Sequence, residues 1–153
     1  MNDLVSLHRH GGGAFALPLP IGWECRENVE GCALIAVEPA RADEHLRPTV
    51  VVTVEPLVTG ETLDDWTARS LEALGESLHQ HRLLDVDVAD VAGRDARRAL
   101  SHYVNRIFGG ICVEQWLVPV EEVGYVISST TPALEYDDLF EVMHMVGEGL
   151  TVG

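Results

Sequence analysis

The chain has 153 residues, 46% of them apolar, and a formal charge of -15 from 25 acidic residues against ten arginines and no lysine. A chain of this length buries about 70% of its unfolded surface, so one hydrophobic core suffices without disulfide or metal staples. The acidic balance opposes phosphate backbones and anionic lipid, which excludes nucleic acid as the expected partner. No basic segment followed by a long apolar run suits a signal peptide or an inserted membrane helix, so the expected compartment is the cytoplasm.

Residues 1–12 read as a flexible lead-in, and residues 13–153 as a single domain. His8 and His10 form an HxH pair without an evident third metal ligand, and Gly11 to Gly13 lack the following helix that a phosphate cradle needs. Phe15, Leu17 and Leu19 then alternate as one face of a strand, which Pro18 and Pro20 confine to a sheet edge or a strand end. Trp23 stands as a core anchor before two further strand patterns, WECRE and CALIAVE. Cys25 and Cys32 flank RENVEG and could face each other across a hairpin. With Cys112 they make an odd number without CxxC spacing, which favours small buried apolar side chains over a disulfide framework.

The polar loop EPARADEHLRP leads to TVVVTVEPL, a β-branched strand. As an edge strand it would need covering, charging or pairing, which makes homodimerisation a side expectation. Thr62 and Asp65 then form a capping-box pattern. Leu63, Trp66, Ser70, Leu71, Leu74 and Leu78 follow at helical spacing, and the helix ends near His79 to His81, where histidines suit the negative end of its dipole.

The segment LLDVDVADVAGRDARRALSHYVNR reads as two strands hinged at Ala92 and Gly93, with Leu84, Val86 and Val88 facing the core and Asp85 and Asp87 facing water. Two more strands follow, ICVEQWLVPV and VGYVISSTT, hinged near Glu121 and Glu122. Thr131 as N-cap and Pro132 at the first helical position then open a second helix. Its apolar stripe is Leu139, Phe140, Met143, Val146 and Leu150, and Gly149 is placed to end it. Strands, helix, four strands and helix, joined by hairpin turns, give an α+β fold: a single antiparallel sheet of about six to seven strands with two main helices packed on it.

In order, FALPLPIGWE, PTVVVTVEPL, TLDDWTARSLEAL, VAGRDARRALSHY, VEQWLV and EYDDLFEVMH resemble actinobacterial LpqN-type proteins and, through them, the wider PsbP-like fold. The resemblance spans about residues 14–150. It implies a binding role, that of a chaperone or adaptor for a larger or secreted protein, and no catalytic residue carries over. Members of the family are often lipoproteins, whereas a lipobox cysteine is missing from these residues.

No GxSxG, HExxH, P-loop or GxGxxG stands in the required context, so the expected protein is not an enzyme and takes no cofactor or metal. The adjacent acids Asp64-Asp65 and Asp137-Asp138 fall in opening helical turns, and Glu121-Glu122 in a hairpin. The most informative constellation is geometric. Two-residue turns at Gly109-Gly110 and Glu121-Glu122 would place Tyr103 opposite Trp116, Asn105 opposite Glu114, Trp116 opposite Ile127, and Val118 opposite Tyr125. One face then carries Tyr103, Trp116, Tyr125 and Ile127, edged by Asn105, Glu114 and Ser129. Either a helix covers it and the aromatics are core, or it stays open and binds a protein partner. The alternative function is a carrier or sensor of a small apolar ligand, held in a pocket between sheet and helix.

Overall fold

Apolar and β-branched runs punctuated by left-handed turn residues generate most of the architecture. In the computed structural model, which describes residues 4–40 and 46–153, the elements in chain order are β1 (Val5–Arg9), β2 (Phe15–Pro20), β3 (Glu24–Val29), β4 (Cys32–Val37), β5 (Thr49–Pro56), α1 (Leu63–Ser77), β6 (Arg82–Val91), β7 (Arg94–Asn105), β8 (Gly109–Val120), β9 (Val123–Pro132), α2 (Tyr136–Glu148) and β10 (Thr151–Val152). The middle of the loop between β4 and β5, residues 41–45, lies outside the described residues.

The fold is α+β and the strands pair antiparallel throughout, but in two sheets rather than one. Seven strands run in the order β3-β4-β5-β9-β8-β7-β6, and a smaller sheet has the order β1-β2-β10. Val5–Arg9, which composition alone leaves in the flexible lead-in, form β1 because Val5 through Arg9 pair residue by residue with Pro20 through Ala16 of β2. The central strand β2 carries both prolines, and β10 pairs only with Phe15 and Ala16, so Pro18 and Pro20 lie beyond its end, where no donor is required.

The main sheet is covered on both faces. On one, α2 and β2 lie over Leu34, Val50, Val52, Trp116, Val118, Tyr125 and Ile127, closing the larger core with Phe15, Leu17, Leu19, Met143, Val146 and Leu150. Trp23 packs half-buried against this core. On the other face α1 lies over Leu117 and Val126, with Trp66 buried between them and Leu57 and Leu63 at the margin. The capping box is present as the sequence indicates: Asp65 N–H donates to Thr62 Oγ1 at 3.0 Å, and Thr62 N–H donates to Asp65 at 3.2 Å.

Two tryptophans fix the helices to the sheet, each against a glycine. A Cβ on Gly147 would come within 2.1 Å of the Trp116 indole, and one on Gly124 within 2.5 Å of the Trp66 ring. Only the missing side chain permits either approach.

Four expectations need correcting. The strand β5 is interior, between β4 and β9, so the edge argument for a homodimer through it falls. Cys25 pairs with Ala36 and Cys32 with Val29 across the β3–β4 hairpin, so the two thiols sit at different rungs and remain free. Thr131 and Pro132 end β9, opposite Cys112 and Ile111, and α2 starts only after a short 3-10 turn at Ala133–Glu135, with no side-chain cap. Finally, Leu84, Val86 and Val88 are exposed rather than buried, because β6 is the last strand of the sheet and α1 packs over β7 instead.

Candidate functional site

The expected aromatic face depends on two hairpin registers, and only one is as expected. Glu121-Glu122 is a two-residue turn with Val120 opposite Val123, which places Trp116 opposite Ile127 and Val118 opposite Tyr125. The β7–β8 turn instead occupies Arg106, Ile107 and Phe108, with Asn105 opposite Gly109. The Asn105 side-chain oxygen accepts from the N–H groups of Ile107 and Phe108, and Gly109 closes the turn at φ +80°. Tyr103 therefore pairs with Ile111 rather than Trp116, and Glu114 with Leu100 rather than Asn105. That offset is an odd number of residues, so every β7 side chain changes face.

Trp116, Tyr125, Ile127, Glu114 and Ser129 consequently share the face under α2, where all are buried. Tyr103 lies half-buried on the α1 face, its phenol pushed up by burial. Between the sheet and α2, Trp116, Met143 and Val146 pack together in the buried core.

The new β7 register brings Arg98 onto the α2 face, opposite Trp116, and this creates a polar cluster that sequence spacing did not reveal. Glu114, 1% exposed, receives Arg98 Nε at 2.5 Å, Tyr136 Oη at 3.2 Å and His144 Nε2 at 3.0 Å, all at Oε2. Its other oxygen has no hydrogen-bond partner among the described residues. Since a carboxylate only accepts, His144 donates through Nε2, and its Nδ1 faces Glu148 at 3.8 Å. Arg98 also reaches Asp85 at 3.1 Å. Burial alone would lower the guanidinium, but the charge and hydrogen bonds of Glu114 outweigh it and hold Arg98 above its usual value. Burial, then the charge of Glu114, pushes the Tyr136 phenol up. On α2, Tyr136 meets Phe140 edge to face and Phe140 stacks on His144, in succession along one side of the helix. The cluster anchors α2 to β7 and β8, and Glu114, enclosed beneath the helix, presents no open position to a substrate.

A second polar group explains the glycine-rich start. Glu27 on β3 receives the Gly11 N–H at 3.0 Å on both oxygens and His8 Nε2 at 2.7 Å, while His10 lies 3.3 Å from Asn28 and stacks on Phe15. The Glu27 carboxyl is held below the usual range, first by the His8 hydrogen bond and then by Gly11. Cys25 Sγ is almost equidistant from the two His8 ring nitrogens, at 3.9 and 3.8 Å, so neither lone pair addresses it. Burial and then Glu27 push this thiol up, the opposite of nucleophile activation. Among the described residues, no three His, Cys, Asp or Glu side chains converge as metal ligands.

Among the described residues, exposed apolar side chains gather at two places besides the start of the chain, where Leu4, Leu7 and Ile21 are exposed. At the β7–β8 end, Ile107, Phe108 and Leu134, the last 98% exposed, rim an open hollow of about 530 Å³ floored by Gly110, Pro132 and Ala133. Along the free edge of β6 lie Leu83, Leu84, Val86 and Val88, the last 67% exposed. Leu84 occupies a bulge between Leu83 and Asp85, and beyond it the strand pairs regularly with β7 to Val91. Among the described residues, no helix is long and apolar enough to cross a membrane.

No protein-family model matches this chain, and no curated protein matches it by sequence. Solved structures do. The chain superimposes on the cyanobacterial PsbP of Synechocystis with a TM-score of 0.72 at 11% identity, covering 100% of this chain and 95% of that one. It matches the Ran-binding protein Mog1p of Saccharomyces cerevisiae with a TM-score of 0.71 at 17% identity, covering 99% and 96%. LpqN of Mycobacterium tuberculosis, described as involved in cell envelope biogenesis, matches with a TM-score of 0.68 at 18% identity over 97% and 90%. The antiparallel sheet with its two helices is thus the fold shared by PsbP, Mog1p and LpqN.

Proposed function

We propose that this chain is a non-catalytic protein-interaction domain that serves as an accessory or adaptor to a larger partner. The observation that carries the reading is the free edge of β6, where four aliphatic side chains stand exposed along a ten-residue strand. Isolated exposed aliphatics are ordinary, but a row of them on an unpaired strand is a ready template for another chain. The Ran-binding activity of Mog1p, on the same fold, supports a binding role. The resemblance to LpqN-type sequences in FALPLPIGWE and VEQWLV is consistent with it, as is the enclosure of Glu114 beneath α2.

The test compares partners recovered by in-cell crosslinking with wild type, with a Val86→Asp/Val88→Asp double variant, and with Ile107→Asp at the other apolar surface. A partner present in stoichiometric amount should be lost from the double variant alone. An identical partner set for all three proteins would overturn the reading.

A further inference from the structure

We infer that the free edge of β6 accepts an extended segment of a partner protein in which apolar and basic residues alternate, added as an eighth antiparallel strand. This rests on the protein-interaction reading and specifies the chemistry of its partner.

The backbone sets the first requirement. Val88 N–H donates to the side-chain oxygen of Asp87 at 2.8 Å, so this donor is directed away from β7. In an antiparallel ladder the inward and outward groups alternate, so Val86, Val88 and Asp90 present their N–H and C=O groups to the open side. The segment from Asp85 to Val91 pairs regularly with β7, leaving these groups in line for a neighbour. Asp87 occupies the Val88 donor until a carbonyl replaces it, and that replacement releases the carboxylate.

The side chains set the second. Val86 and Val88 pair with Ala99 and Arg97, on the α1 face with Leu117, whereas Asp85 and Asp87 pair with Leu100 and Arg98 on the opposite face. An incoming strand therefore meets apolar side chains on one face and carboxylates on the other. Residues opposite Val86 and Val88 gain by being apolar, and the one opposite Asp87 gains most by being basic, since Asp85 is already paired with Arg98.

The same charges select against a second copy of this chain. Two β6 strands paired about Val86 would place Asp85 opposite Asp87 twice, and like charges directly opposed are destabilising. Between chains that each carry a charge of -15, association is opposed further. A basic segment faces neither cost. Docking of this kind draws its affinity from main-chain hydrogen bonds and its selectivity from alternate side chains.

The experiment titrates the isotope-labelled full chain with two synthetic peptides, one alternating valine with arginine and one alternating valine with glutamate, and follows the backbone amides by NMR. The arginine peptide should shift the amides of Val86, Val88 and Asp90, and its affinity should fall at least about tenfold in high salt, while the glutamate peptide does not bind. Val88→Pro removes an N–H that β7 does not use and should abolish binding with the near-UV spectrum intact. Asp87→Asn, which keeps an oxygen acceptor on an exposed side chain, should weaken it and guards against a folding defect in the proline variant. Equal binding of both peptides, shifts centred away from β6, or self-association that grows with concentration and is blocked by Val88→Pro would each overturn the inference. If the arginine peptide fails to bind while Val86→Asp/Val88→Asp still loses a cellular partner, the interaction reading stands and the assigned chemistry falls. If both fail, both fall.

Discussion

The Arg98 guanidinium and the Glu114 carboxylate meet diagonally across β7 and β8 beneath α2, the acid almost wholly enclosed and the base partly so. Removing the acid alone leaves the partly buried Arg98 charge paired only to the exposed Asp85 among its described ion partners, and it deprives Tyr136 and His144 of their shared acceptor. Glu114→Ala should therefore cost about 3 kcal/mol in urea unfolding, the range for breaking a buried pair. The paired replacement Arg98→Met/Glu114→Leu should recover part of that loss. A Glu114→Ala protein as stable as wild type would show that the cluster does not hold α2 down.

Gly147 brings the α2 backbone directly against the Trp116 indole. Gly147→Ala forces a methyl against the face of the indole and should destabilise by about 1–3 kcal/mol despite the better helix propensity of alanine. Trp116→Phe frees space and should offset part of that cost. The Trp116 N–H has no hydrogen-bond partner among the described residues, so no hydrogen bond is lost with it. Thermal unfolding of the two single variants and the double variant measures the coupling, and strictly additive changes would count against the contact.

The α1 terminus offers a cleaner test, since Thr62 is exposed and its side chain has a single role. Thr62→Ala should cost about 1 kcal/mol by chemical denaturation. Asp65→Ala should cost a similar amount, and the double variant less than their sum, because the two side chains cap each other's backbone.

Glu27 should give a pH-dependent contribution. Its carboxyl is depressed below the ordinary 4.5 by His8 and Gly11, so its contribution is fully present above 4.5 and disappears as the pH falls through the lower folded-state value. Glu27→Gln should thus melt below wild type at neutral pH, and the two curves should converge in acid. A constant difference across that range would show that the carboxylate charge is not what ties Gly11 to β3.

Much of this fold was legible because it rests on local chemistry. The Thr62–Asp65 box, the left-handed Ala92-Gly93 hinge and the Glu121-Glu122 turn are each specified by adjacent residues, and all three stand in the structure. The β7–β8 register was not legible in the same way. Gly109-Gly110 resembles a two-residue turn, but the Asn105 side chain caps the two preceding N–H groups and moves the turn upstream. The resulting flip placed Tyr103 on the α1 face and hid the Arg98–Glu114 cluster from any argument on spacing.

The period-two pattern of β6 was equally clear and equally insufficient. Alternation shows that Leu84, Val86 and Val88 differ from Asp85 and Asp87, but not that anything covers them. Coverage depends on where β6 falls in the sheet order, which is set by pairings far along the chain. The small sheet is illegible in the sequence for a related reason, since β1 and β10 have no strong pattern of their own and exist because β2 lies between them.

The order of elements also bears on synthesis. The lid over Trp116, Tyr125 and Ile127 consists of β2, near the start of the chain, and α2 with Leu150, near its end. A nascent chain that has emerged only as far as β9 has the sheet strands but not the helix that seals their inner face. During translation that apolar surface has only β2 to cover it, and it closes when residues 136–150 leave the ribosome. A premature stop before Tyr136 should therefore yield a sticky sheet rather than a shorter folded domain.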